Sequence, residues 1–270
     1  MIRKIAGLCV VLAMVAGISG PAFAAENSPV LSRIVASGEL RVGMSGTQPP
    51  FSVKSKSGEL IGYDVDLANL LAAAMDVELK IVEKPFAQLL PALEAGEVDA
   101  VMSGMTMTPA RNLRVAFVGP FMVSGKSILT KSSTLASIQA AEDIDQSQIK
   151  LVALEGSTSE RFVKKALPKA QFIPAKDYDQ AVAAVMDGSA DAMVADFPIC
   201  ALTMMRHPDA GFATLSEPLT IEPIGMALPA GDSLLLNMVE NYFGALEGLG
   251  VLDKLEQKWF EDGSWLIQVP

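Results

Sequence analysis

Two rhythms of apolar and polar positions take turns along the first hundred residues. ELRVGM (Glu39 to Met44) reads as a strand and YDVDLANLLAAAM (Tyr63 to Met75) as a helix. ELKIVEK from Glu78 reads as a strand again, FAQLLPALEAG from Phe86 as a helix, and VDAVMSG from Val98 as a buried strand. Asp64 or Asp66 is placed to cap the first helix by accepting its free backbone N–H groups. Strands alternating with helices predict an α/β chain whose strands are mostly parallel.

The pattern then echoes itself. LEAGEVDAVMSG (Leu93 to Gly104) resembles VMDGSADAMVAD (Val185 to Asp196). In each, a helix ends at a glycine, Gly96 or Gly188, which suits a left-handed stop. An Asp–Ala pair follows at the same spacing, Asp99–Ala100 and Asp191–Ala192, and then a short apolar strand. LRVGMSGT and KLVALEGST match in the same way, a strand running into a glycine and hydroxyl residues. Two α/β lobes of similar build are expected. Gly104 and Asp196 then fall at matching places, just past the carboxyl ends of matching strands, where open parallel sheets bind ligands.

The chemistry at those strand ends is uneven in charge. SGMTMTPAR (Ser103 to Arg111) offers Gly104 for close backbone approach, hydroxyls on Ser103 and Thr106, and Arg111 on a turn that Pro109 can start. A guanidinium grips a carboxylate through two parallel hydrogen bonds. EGSTSERF presents Ser157 and Thr158 at a helix start, where backbone N–H groups and the helix dipole favour an anion. Asp196 ends the AMVAD strand, as the partner for a cation or as the cap of a helix beginning near Pro198. A positive arm, an anion-binding helix start and a negative arm together describe a zwitterion, the charge layout of an α-amino acid.

Composition narrows the setting. Arg3 and Lys4, an apolar stretch to about Ile18 and AFA (Ala22 to Ala24) read as a secretory signal peptide over residues 1–24, cleaved after Ala24. The apolar core is short for a membrane span. Without Arg3 and Lys4 the 21 basic residues fall to 19 against 31 acidic ones, a formal charge of −12. An acidic exported chain is a poor candidate for nucleic acid or anionic membranes. Cys9 leaves with the leader, so Cys200 has no internal partner, and its FPICAL context is that of a small buried residue. His207 is the sole histidine, which leaves a Ser/His/Asp set or a zinc site little to work with; neither cofactor nor metal is expected.

PPFS (Pro49 to Ser52), GYDVDLA (Gly62 to Ala68), SGMTMTPAR, AFVGPF (Ala116 to Phe121), EGSTSE (Glu155 to Glu160) and VLDKLEQKWF (Val251 to Phe260) together resemble the periplasmic amino-acid-binding proteins, the extracellular solute-binding receptors of family 3 that feed ABC importers. The resemblance runs from about Leu40 to Trp259. It implies a two-lobed periplasmic-binding-protein fold of type II with two hinge strands, lobe one being 27–123 plus 220–270 and lobe two 124–219. It implies that Arg111 grips the ligand carboxylate with help from Thr106 and backbone at Gly104, Ser157 and Thr158. Asp196 takes the ammonium, and Phe51 and Phe86 supply apolar walls, or else pack in the core. Gln48 stands where many relatives carry an aromatic ring, and Met105 is bulkier than expected before Thr106; both bear on the ligand side chain. The expected protein is a monomeric, non-catalytic periplasmic receptor whose partners are a small zwitterion and a membrane permease. A chemosensor partner would fit the same residues. So would an enzyme resembling cyclohexadienyl dehydratase, except that Phe197, Pro198, Ile199 and Cys200 provide no carboxylate shortly after Asp196.

Overall fold

A computed structural model describes residues 28–138 and 140–270. The expected leader, residues 1–24, lies outside them. Among the described residues no helix is long and apolar enough to cross a membrane.

The strands are β1 (Glu39–Met44), β2 (Thr47–Gln48), β3 (Ser52–Lys54), β4 (Leu60–Ile61), β5 (Glu78–Glu83), β6 (Ala100–Val101), β7 (Ala116–Ser124), β8 (Lys126–Thr130), β9 (Lys150–Leu154), β10 (Gln171–Ala175), β11 (Ala192–Asp196), β12 (Ala213–Thr214) and β13 (Glu222–Leu228). One five-stranded sheet has the order β5-β1-β6-β13-β7 and the other β10-β9-β11-β8-β12, while β2, β3 and β4 form a small third sheet. Each large sheet contains a parallel part, β1 lying between β5 and β6 and β9 between β10 and β11. The antiparallel part comes from the strands at the crossing, β7 with β13 and β8 with β11.

The sequence echo is a structural one. Asp99 N–H donates to the Arg41 carbonyl at 2.8 Å while its carboxylate accepts the Arg41 N–H at 2.8 Å. Asp191 does the same with Lys150, at 2.9 and 2.8 Å. Each aspartate thereby locks the strand that follows it onto the parallel strand beside it, β6 onto β1 and β11 onto β9. Gly96 (φ 71°) and Gly188 (φ 79°) both make the left-handed stop before that aspartate.

The first helix, Tyr63–Ala74, is not capped by either aspartate. Gly62 holds the cap position without a side-chain bond. Asp64 instead accepts the Gly104 N–H at 2.7 Å, and Asp66 accepts the Trp259 indole N–H at 2.7 Å and pairs with Lys258 at 2.6 Å. Both carboxylates found donors brought by distant parts of the chain, which local capping logic does not see. The Asp66 bonds pin the C-terminal VLDKLEQKWF segment to this helix. Phe260 then meets Phe51 and Tyr63 edge-on, with ring centroids 5.4 and 5.3 Å apart. Phe51 and Tyr63 are fully buried, and burying a ring of that size stabilises by about 1.5–3 kcal/mol.

The chain leaves the first sheet at Ser124 and enters the second at Lys126, returning ahead of Glu222. The two crossings touch. A Cβ on Gly125 would sit 2.0 Å from the Thr220 carbonyl oxygen, so no side chain fits there.

Candidate functional site

Arg111 sits on a one-turn helix, Pro109–Asn112, started by Pro109 and capped by the Thr108 hydroxyl, which accepts the Arg111 N–H. The turn points the side chain inward. Arg111 is buried, its Nη1 donates to the Thr106 carbonyl at 2.7 Å, and its Nη2 donates to the Gly156 carbonyl at 3.2 Å. Gly156 lies at the end of β9 in the other sheet, so the guanidinium bridges the two halves. Its carbon stands 5.7 Å from the centre of the Phe86 ring, a distance for cation–π attraction. Burial and the nearby Arg161 guanidinium draw the Arg111 pKa down to about 10, while Asp196 and Glu222 pull it back up. Arg111 therefore lies within electrostatic reach of Asp196.

Two more contacts cross the crevice between the halves. Thr106 and Thr158 hydroxyls meet at 3.2 Å, both residues buried. The Gln48 carbonyl accepts from the Ser45 hydroxyl at 2.8 Å and from the Ser103 hydroxyl on its own side, and the Gln48 side chain lies close enough to buried Tyr178 opposite to act on its hydroxyl. A cavity of about 310 Å³ opens beside Arg111, lined among others by Phe86, Met105, Arg111, Arg114, Gly156 and Arg161. Its rim is electropositive, although Arg114 is tied to Glu94. A positively lined opening draws anions toward the buried guanidinium.

The chain matches the bacterial extracellular solute-binding proteins, family 3, over residues 40–262. It belongs to that family. An ancestral amino acid-binding protein described as a precursor of cyclohexadienyl dehydratase is 38% identical, with a TM-score of 0.79 over 85% of this chain and 99% of its own. A putative binding component of an ABC transporter from Wolinella succinogenes, solved with lysine, is 36% identical with a TM-score of 0.81 over the same shares. Cyclohexadienyl dehydratase of Pseudomonas aeruginosa is 29% identical over 93% of this chain and 92% of its own. The fold is accordingly the two-lobed one of periplasmic binding proteins.

Within this solute-binding fold, several of the expected site residues are already engaged. The Gly104 N–H, expected to face a ligand carboxylate, donates to Asp64. That places a buried acid under the site floor, and burial pushes its pKa up to about 7 against the opposing Gly104 bond. The Ser157 hydroxyl caps the helix Thr158–Ala166, accepting the Glu160 N–H at 3.1 Å and donating to the Leu154 carbonyl at 2.6 Å. Phe51 is wedged against Gly104, whose added Cβ would meet its ring at 3.0 Å, so it belongs to the packing beneath the crevice. Phe86 and Met105 line the cavity instead.

Asp196 differs most from expectation. It ends β11 with no cap bond to the helix Phe197–Arg206. Its Oδ1 lies 2.5 Å from the Lys126 ammonium, which is fully buried and also 3.5 Å from Glu222. Sequence reasoning passed over Lys126, Glu222 and Tyr178. Lys126 did carry a signal: it opens KSILT, a strand whose every residue is buried. A lysine in such a strand needs a carboxylate close by, because an unpaired buried charge is prohibitive.

Proposed function

We propose that this chain is a periplasmic receptor that binds an amino acid or similar zwitterion between its lobes and delivers it to the permease of an ABC importer. The observation that carries this reading is the buried Arg111 guanidinium, which bridges to the Gly156 carbonyl of the other half and lies within electrostatic reach of strand-terminal Asp196. A ligand carboxylate would replace the Gly156 carbonyl at Nη2, and its ammonium would turn toward Asp196. Thr106 and Thr158, already within hydrogen-bond reach of one another, would flank it. The ligand-bearing form is favoured only by contacts that both lobes make at once, and Arg111, Thr158 and Asp196 are drawn from both. Phe86 and Met105 would face the side chain.

Sheet membership supports lobes of 27–123 plus 220–270 and 124–219, joined at Gly125 and Thr220. Export through a leader cleaved after Ala24, a monomeric state and the absence of catalysis complete the proposal. The dehydratase relative supports a second reading, an enzyme on the same scaffold. Against it, the helix that follows Asp196 opens with Phe197, Pro198, Ile199 and Cys200, none of which is a carboxylic proton donor.

Calorimetric titration with the standard amino acids tests the first reading, and incubation with prephenate and arogenate tests the second. Arg111→Ala should weaken the best amino acid by about 3 kcal/mol, roughly a hundredfold, because the ligand carboxylate loses a buried charged partner. Arg111→Lys should lose less. Equal affinities for wild type and Arg111→Ala would reject the role, and turnover of either cyclohexadienyl substrate would replace receptor with enzyme.

A further inference from the structure

Lys126, Asp196 and Glu222 form a buried charge cluster at the crossing between the lobes. Their side chains are 1%, 6% and 13% exposed. Lys126 is the register partner of Asp196 across β8 and β11, and Glu222 lies on the returning strand β13, opposite Ser124. Thr220 stitches the group: its hydroxyl accepts the Lys126 N–H at 2.9 Å and donates to Glu222 at 3.2 Å. The cluster holds two carboxylates for one ammonium. The Lys126 ammonium is closer to Asp196, at 2.5 Å, than to Glu222, at 3.5 Å. The second positive charge within reach of both acids is Arg111.

That count has a consequence if the site takes a zwitterion, the reading on which this inference rests. The ligand carboxylate neutralises Arg111, and its ammonium needs Asp196. Lys126 cannot then be left alone, since a buried charge without a partner is strongly unfavourable. Glu222 is already within 3.5 Å. Three pairs result: Arg111 with the ligand carboxylate, Asp196 with the ligand ammonium, and Lys126 with Glu222. We propose that Lys126 is the chain's own stand-in for the ligand ammonium, yielding Asp196 on binding and falling back on Glu222. Glu222, which does not need to touch the ligand, is thereby a positioning residue that decides whether an ammonium-bearing ligand is accepted. A ligand lacking the ammonium leaves Lys126 on Asp196 and is indifferent to Glu222.

The test is calorimetric titration of wild type, Glu222→Gln, Glu222→Asp and Lys126→Met. The probes are L-lysine, L-arginine and L-glutamine and, for each, the same molecule with hydrogen in place of the α-amino group. In Glu222→Gln, Lys126 keeps its hold on Asp196, so amino acids should bind at least about tenfold more weakly. The des-amino probes should stay within roughly threefold of wild type. Glu222→Asp keeps a carboxylate and should recover most of the loss. Lys126→Met removes the competitor, so amino-acid binding should persist while des-amino binding falls about tenfold or more, Asp196 being left unpaired. A Glu222→Gln loss that is equal for both probe classes would mark a structural role and overturn the proposal, as would no loss at all. Wild type binding amino acids through Arg111 with either of those results sinks the exchange alone. Wild type binding no amino acid sinks the receptor reading for these ligands and the exchange with it.

Discussion

Asp64 offers a sharp test of how this structure links charge to stability. It is almost wholly buried, 2% exposed, and its Oδ2 accepts the Gly104 N–H at 2.7 Å. Burial lifts its pKa from 3.8 to about 7, and the Gly104 bond only partly opposes this. Between those two values the folded protein retains a proton that the unfolded chain has released. The folded state binds more protons there, so stability falls as pH rises through the window, opposite to the usual carboxylate. A gap of about three units corresponds to roughly 4 kcal/mol once pH exceeds the folded value. Asp64→Asn places a neutral group of the same shape against Gly104, its carbonyl still able to accept that N–H. The variant should match wild type near pH 4 and exceed it by about 4 kcal/mol near pH 8. Urea unfolding followed by tryptophan fluorescence reads this directly, since buried Trp259 and Trp265 pack beside the same helix through Asp66. Wild type and variant losing stability in parallel across the range would refute the reasoning, as would a variant that is the less stable of the two at the alkaline end.

Two other outcomes are expected. Gly125→Ala forces a Cβ to 2.0 Å from the Thr220 carbonyl oxygen, so the crossings must part; a loss of about 1–3 kcal/mol or more is expected in the same unfolding assay, and an unchanged midpoint would show that the crossings can slide freely. Cys200 is fully buried and its thiol is pushed up to about 12, by burial first and by Asp196 next; an aromatic disulfide reagent should label it only as fast as the protein opens, and at once in denaturant, whereas immediate labelling of the native protein would contradict that burial.

What the sequence determined by itself is the local architecture. ELRVGM and AMVAD are strands at the residues their patterns mark; ELKIVEK, YDVDLANLLAAAM and FAQLLPALEAG form the expected elements but stop one or two residues early, at Glu83, Ala74 and Glu94, and VDAVMSG keeps only Ala100–Val101 as strand. Gly96 and Gly188, with Asp99 and Asp191 after them, were readable because a helix stop and the strand beyond it are set within a dozen residues. Arg111 was readable as an inward-turned cation, since Thr108 and Pro109 shape its turn locally. Tertiary structure alone decided which charges meet. Asp64 lies 40 residues from the Gly104 N–H that claims it, and Asp196 lies 70 residues from Lys126. Such partners are set by strand register and by how two lobes face each other, and a buried carboxylate takes whichever donor the packing brings nearest, because leaving it unpaired costs more than any local preference can return.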